Sequence, residues 1–351
     1  MVEGPVKSTL TNCVVEGNVF GAGYSASLPP VSVMNNSFQT QPSYDSNLGA
    51  YLEAVLPSTE TYTWQHRDVV NSTETAIDRT NHILYTTEDL TTLGAVTGNV
   101  TLTIDGNTTL TNGKVMSVAK SVYGGGEESN VAGDTRVNIS GGTIAENVFG
   151  GGKGVADEFA CSKAMIGLDG EGANNNDPEA TKDKGTIVNI SDGTVNGNVY
   201  GGGEVGRVEW NTQVKIGEDG TGEPVIKGYV FGAGKGLKTH GYAALVRGNP
   251  TVTIQGNAKI KKSVYGGGEI ASVARYKVAT TAAEAAEHGV EIDMPYALAN
   301  NYSGNCKVIV GGNAVIGPDE PMKMYHPEIT DGTDKPDDAG HVFAAGKGVL
   351  P

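Results

Sequence analysis

The chain has 351 residues, of which 51 are glycine, 38% are apolar and 19% are charged. No apolar run approaches the roughly 20 residues of a spanning helix, and the glycines follow no triplet period, so membrane-helix, coiled-coil and collagen classes are excluded. With 25 basic and 40 acidic residues the net charge is −15, which would repel a phosphate backbone and argues against nucleic acid as a partner.

The chain opens Met1-Val2-Glu3-Gly4-Pro5, without the basic and apolar regions of a signal peptide. The first recurrent pattern follows at once: an aliphatic residue, three variable positions, then Val, an aromatic residue and a glycine cluster. It reads Val15…Val19-Phe20-Gly21-Ala22-Gly23, and returns as Val118…Val122-Tyr123-Gly124-Gly125-Gly126 and Ile144…Val148-Phe149-Gly150-Gly151-Gly152. Further copies are Val195…Val199-Tyr200-Gly201-Gly202-Gly203, Ile226…Val230-Phe231-Gly232-Ala233-Gly234 and Ile260…Val264-Tyr265-Gly266-Gly267-Gly268. A seventh, Val342-Phe343-Ala344-Ala345-Gly346, keeps the core of the pattern but not the upstream aliphatic. Four of the six phenylalanines occupy this one slot.

Most copies are preceded by a short alternating run and a turn, as in Val137-Asn138-Ile139 before Ser140-Gly141-Gly142 and Val188-Asn189-Ile190 before Ser191-Asp192-Gly193. Val252-Thr253-Ile254 before Gln255-Gly256-Asn257 follows the same rule, and Val214-Lys215-Ile216 and Val308-Ile309-Val310 open two more units. Period-2 alternation of β-branched residues predicts strands, and the Gly/Asn/Asp pairs predict tight turns. No single unit can bury its apolar stripe alone, and the shortest interval, Tyr123 to Phe149, is 26 residues. That length suits one coil of a β-solenoid whose coils stack about 4.8 Å apart. Propeller blades need about 40 residues and are excluded.

The predicted fold is therefore all-β, a β-solenoid with long insertions at its corners. Residues 1–23 form the first coil, 24–98 an insertion subdomain, and 99–351 further coils interrupted at 154–184, 270–305 and 317–340. The best local helix candidate is Ala282–His288.

The aromatic slot alternates along the chain: Phe20, Tyr123, Phe149, Tyr200, Phe231, Tyr265, Phe343. The residue after the glycine cluster alternates with it: Glu127, Lys153, Glu204, Lys235, Glu269, Lys347, with Tyr24 in place of Lys in the first copy. Stacked coils would place Glu over Lys over Glu in one column, worth about 0.2–1 kcal/mol per exposed pair and serving register more than stability. Simple inheritance from a duplicated two-coil unit accounts for the same alternation. The rings would form a ladder adding about 0.5–1.5 kcal/mol per contact; core packing and sugar stacking are both uses of such a ladder.

Other chemistry is sparse. Cys13, Cys161 and Cys306 form no CxxC pair and the six histidines no HExxH, so neither zinc nor a disulfide framework is indicated. Gly232-Ala233-Gly234-Lys235-Gly236 lacks the spacing of a phosphate-binding loop. The acidic loops Asp169–Asp177 and Asp331–Asp338 offer oxygen ligands for calcium but not EF-hand spacing. Asp337-Asp338 with His341 is the nearest approach to a glycosidase carboxylate pair, and it falls in an insertion. No catalytic residue, cofactor or metal site is assigned.

Val-[Tyr/Phe]-Gly-Gly-Gly-[Glu/Lys] repeats interspersed with Ile139-Ser140-Gly141-Gly142-Thr143-Ile144 resemble those of large glycine-rich repetitive surface proteins of gut Bacteroidetes. They are more distantly similar to the repeats of polymorphic outer-membrane proteins and autotransporter passengers. The resemblance covers residues 12–24 and about 96–350. It implies a right-handed parallel β-helix displayed at the cell surface or secreted, non-catalytic and adhesin-like or stalk-like, with a host or microbial surface glycan or protein as partner. The alternative is a carbohydrate-active β-helix enzyme or glycan-binding module using a groove along one face. Both termini match interior units and neither carries an evident cap, so further repeats of a longer parent chain are expected to flank this segment.

Overall fold

The computed structural model describes residues 2–25, 94–106, 115–155, 163–167, 184–218, 222–238, 243–273, 279, 281–289, 304–319 and 339–348, with the backbone of strands at 43–45, 50–55, 63–67, 83–84, 276–278 and 295–297. By internal contacts the chain divides into two compact units, Met1–Tyr24 with Gly94–Pro351, and Ser25–Leu93.

The larger unit is all-β and built on parallel sheets. Alternating β-branched runs supply its long strands, Val6–Thr11, Val100–Asp105, Thr135–Ile144, Gly185–Val195, Asn211–Ile216, Pro250–Ile254 and Lys307–Val310. Each pairs in parallel with the next in chain order. The aliphatic residue upstream of each glycine cluster makes a second parallel column: Val14–Val15, Ser117–Val118, the ends of the strands at 135–144 and 185–195, Val225–Ile226, Lys259–Ile260 and Val315–Ile316. The Val-aromatic pairs make a separate 7-stranded parallel sheet, running in chain order from Val19–Phe20 to Val342–Phe343. Single bridges join Val2, Val96, Val131, Ile166, Val208, Val246 and Val273 in the same order.

Register is fixed by burial. In the long strands Leu10, Ile104, Ile139, Ile190, Ile216, Ile254 and Val310 pair successively, and the five central members are at most 2% exposed. Ser8, Leu102, Val137, Val188, Val214, Val252 and Val308 pair likewise two residues earlier. A slip of one residue would turn both rows outward. Each buried Val or Ile contributes about 1.5–3 kcal/mol relative to exposure, and these rows join the Val of every aromatic pair except the last in one core. A smaller core forms around Val96, Val100, Val131, Ile166, Val208, Ala233 and Val246.

The boundaries of the insertions differ from the sequence expectation in detail. Val96, within 24–98, bridges Val2 and Val131, and Ile166, within 154–184, bridges Val131 and Val208. Both segments thus return to the repeat to supply one strand position each. The segment 270–305 carries the helix Ala282–His288, with the Thr281 hydroxyl accepting the Glu284 N–H at its start and Gly289 at φ 66° at its end. It also carries an antiparallel pair, Tyr276–Val278 with Pro295–Ala297. The unit Ser25–Leu93 contains an antiparallel sheet of Ser43–Asp45, Ala50–Val55, Thr63–Arg67 and Ile83–Leu84. Asp169–Asp177, Asp331–Asp338, Cys161 and most of 317–340 lie outside the described residues.

Candidate functional site: the aromatic and charge columns

The glycine corner begins with a steric demand. An added Cβ at Gly21, Gly124, Gly150, Gly201 or Gly232 would lie 2.1–2.3 Å from the carbonyl oxygen of the equivalent glycine in the next repeat. None of the five has a positive φ. Glycine stands there because backbones pass too close for a methyl group, and not because the chain turns left-handed. The close passage is held by N–H···O bonds of 2.9 Å, among them Gly150 to Tyr200 and Gly201 to Phe231.

That spacing places the aromatic residues in one file. Successive rings of Phe20, Tyr123, Phe149, Tyr200, Phe231, Tyr265 and Phe343 lie 4.7–5.0 Å apart with interplanar angles of 1–13°. Phe149, Tyr200 and Phe231 are completely buried, whereas Phe343 at the end of the file is 43% exposed. A buried interior ring has both faces covered by its neighbours, so the interior of the file is packed core.

Inside the file the hydroxyls are committed. Tyr123 donates to Glu204 Oε2 and Tyr200 to Glu269 Oε2, each at 2.5 Å, and Asn198 Nδ2 donates to the Tyr200 hydroxyl at 2.9 Å. Burial first, then the hydrogen bond to Glu204 and its negative charge, push the Tyr123 hydroxyl far above the usual phenol range. Burial and then the charge and hydrogen bond of Glu269 do the same for Tyr200.

The charged positions also meet. Lys153 Nζ lies 2.7 Å from Glu127 Oε1, and Lys235 Nζ 2.8 Å from Glu204 Oε1. Backbone bridges link Tyr24 to Glu127, Glu127 to Lys153, and Glu204 to Lys235, Glu269 and Lys347 in turn. The column is irregular between Lys153 and Glu204, where the bridge runs antiparallel from Lys153 to Val205. The residue after each Glu is left-handed without being glycine: Glu128 at 56°, Val205 at 63° and Ile270 at 52°. Lys347 additionally sets its Nζ 3.9 Å from the centre of the Tyr229 ring. The hydrogen bond to Glu127 is the main cause of an ammonium pKa at Lys153 raised above the lysine norm.

Thr and Asn side chains repeat a further set of bonds along the stack. Thr135, Thr186 and Thr212 are buried and donate to the carbonyls of Gly150, Gly201 and Gly232 at 2.5–2.6 Å. Asn147 and Asn198 accept the N–H of Asn198 and Tyr229, and Asn211 and Asn249 accept those of Asn249 and Asn305, all at 2.8–2.9 Å.

One cluster escaped the sequence analysis. Glu209, 6% exposed, sits between Arg247, whose Nη1 pairs with its Oε2, and Arg207, whose Nε is 3.8 Å from its Oε1. Trp210 beside it donates from Nε1 to the Gly167 carbonyl at 3.1 Å. Arg207 and Arg247 are 40 residues apart by numbering, and only the bridge between Val208 and Val246 makes them neighbours. Asp337 and Asp338 lie outside the described residues, while His341 packs its ring 5.8 Å from that of Phe343. Among the described residues no group of three or more His, Cys, Asp or Glu is placed to hold a metal ion, and no helix is long and apolar enough to cross a membrane. Comparison with protein-family models, with curated proteins and with solved structures finds no match to this chain.

Proposed function

We propose that the chain is a right-handed parallel β-helix acting as a non-catalytic, adhesin-like scaffold of a cell-surface or secreted repetitive protein. In this role the repeats give length and rigidity, and recognition of a host or microbial surface glycan or protein is carried by the unit Ser25–Leu93. The observation that carries the proposal is how the repeats use their polar side chains. The Tyr hydroxyls, the Glu and Lys carboxylates and ammoniums and the Asn amides described above bond to other repeats, and the buried Thr to the glycine corner of their own. Groups tied up in this way hold strands together and leave little chemistry for a substrate. Parallel pairing in unbroken chain order is the arrangement expected of an extended scaffold.

The test is glycan-array and cell-surface binding by the full chain and by a variant with residues 25–93 replaced by a short Gly/Ser linker, together with an assay for reducing ends released from the same polysaccharides. The scaffold role requires binding that is lost with the replacement, and no release of reducing ends. Polysaccharide cleavage by both proteins would instead establish the enzyme alternative.

A further inference from the structure

The cluster around Glu209 departs from the habit of the stack. Elsewhere Tyr, Glu, Lys, Thr and Asn side chains commit their polar groups to one another or to the backbone. Among the described residues four buried side-chain polar atoms have no hydrogen-bond partner, and three of them are Arg207 Nε, Glu209 Oε1 and Arg247 Nε. Native proteins leave few such atoms, so three at one place mark a missing group.

Parallel pairing assembles the cluster. The bridges from Ile166 to Val208 to Val246 set Met165 beside Arg207, and Gly167 and Arg247 on either side of Glu209. A Cβ at Gly167 would meet Trp210 Cδ1 at 2.4 Å, so the indole fills the place where Gly167 has no side chain. Arg247 Nη1 pairs with Glu209 Oε2. Arg207 has no such partner: its Nη2 lies 2.8 Å from Met165 Sδ, a weak acceptor, and its Nε stays 3.8 Å from Glu209 Oε1. A side chain only 16% exposed thus carries a fork of N–H donors with no described side-chain oxygen in hydrogen-bond reach.

The charges point the same way. Two guanidiniums against one carboxylate leave a positive charge in excess, in a chain whose net charge is −15. Water can accept from an Nε and donate to Oε1, but it leaves that charge uncompensated.

We propose that Arg207, Glu209 and Arg247 form a binding site for a hydroxylated carboxylate, the chemistry of a uronic acid. The ligand carboxylate accepts from the guanidiniums, whose planar forks suit a pair of oxygens, and an adjacent hydroxyl donates to Glu209. Acetate lacks the donor and a neutral sugar lacks the charge. Both arginine side chains keep solvent contact, at 16% and 17%, and Arg207 gives up only a thioether in turning to the ligand. The site lies on the repeats and does not depend on recognition by the unit Ser25–Leu93.

The test is isothermal titration calorimetry of the full chain with glucuronate, glucose and acetate at constant ionic strength, repeated with Arg207→Met and Arg207→Lys. Circular dichroism melts establish that the variants are folded. The site requires glucuronate to bind at least about tenfold more tightly than glucose or acetate, and Arg207→Met to weaken it at least about tenfold. Arg207→Lys, which keeps the charge and loses the fork, should fall between. An oligosaccharide ending in glucuronate separates two sources of the same chemistry: binding as tight as the monosaccharide's supports a glycan terminus, and loss of binding supports a free hydroxy acid. Absence of glucuronate binding, equal binding of glucose or acetate, or an affinity unchanged in Arg207→Met overturns the proposal.

Discussion

The Tyr123 hydroxyl donates to Glu204 at 2.5 Å across two repeats, passing the stacked ring of Phe149. Tyr200 does the same to Glu269, passing Phe231. A donor that skips one repeat explains why the aromatic slot needs a hydroxyl only at every second position. It also ties the Tyr/Phe alternation to the Glu/Lys alternation, since the Glu that accepts from Tyr123 is the one that pairs with Lys235.

Removing that donor should therefore cost more than an ordinary hydrogen bond. Tyr123→Phe and Tyr200→Phe are each expected to lower stability by about 1.5–3 kcal/mol, the range for bonds to a charged partner. A double-mutant cycle of Tyr123→Phe with Glu204→Gln, measured by denaturant unfolding, should return a coupling of at least about 1 kcal/mol. Additive losses would place the worth of the pair elsewhere.

Alkaline titration follows from the raised phenol pKa values. A tyrosine whose folded pKa exceeds its unfolded value of about 10 stabilises the fold fully below that pH. The contribution is lost as pH rises above about 10 toward the folded pKa. Burial is the leading cause for both Tyr123 and Tyr200. Absorbance at the phenolate band should show a class of tyrosines that ionises only together with loss of the β-sheet circular dichroism signal. Reversible ionisation of every tyrosine near pH 10 in folded protein would contradict this.

Glycines with different duties should respond differently to alanine. Gly201→Ala places a methyl 2.1 Å from the Gly232 carbonyl and is expected to destabilise by about 3 kcal/mol or more, at or beyond the upper end of overpacking costs. Gly289→Ala meets nothing within 4 Å and incurs only the strain of φ 66°, about 1 kcal/mol. Paired thermal melts separate the two.

The buried carboxylate of Glu209 lies between two guanidiniums. Glu209→Ala is expected to cost toward the lower end of about 3–5 kcal/mol, because Arg207 and Arg247 retain some solvent contact. Returning the cluster to its original net charge with Arg247→Met in the same chain should recover part of the loss in chemical denaturation.

What the sequence disclosed and what it withheld divide along one line. Features repeated in every unit were legible, because the Val-aromatic pair recurs seven times, six of them followed by Gly, and strand alternation sets its own phase, as in Val137-Asn138-Ile139 against Val188-Asn189-Ile190. Features that depend on which repeat lies beside which were not. Arg207 and Arg247 have no counterparts at their positions in other repeats, and the Tyr123–Glu204 bond joins residues 81 apart. Gly150 and Gly201 are positions of close approach, a duty that only the adjacent repeat reveals. Segments with no repeat at all, such as Ser25–Leu93, gave composition and little more.

In-register parallel pairing of consecutive repeats is tested most directly by engineered disulfides. Asn138 and Asn189 are register partners on neighbouring strands, with Asn189 Nδ2 donating to Asn138 Oδ1 at 3.0 Å, while Asn189 pairs in turn with Lys215 on the strand beyond. In a chain with Cys13, Cys161 and Cys306 changed to Ser, the pair Asn138→Cys/Asn189→Cys should oxidise to an intramolecular disulfide with the native circular dichroism spectrum. The pair Asn138→Cys/Lys215→Cys, about 10 Å apart across two strand spacings, should not. Ready oxidation of the second pair, or failure of the first in folded protein, would contradict the parallel register on which every column described above depends.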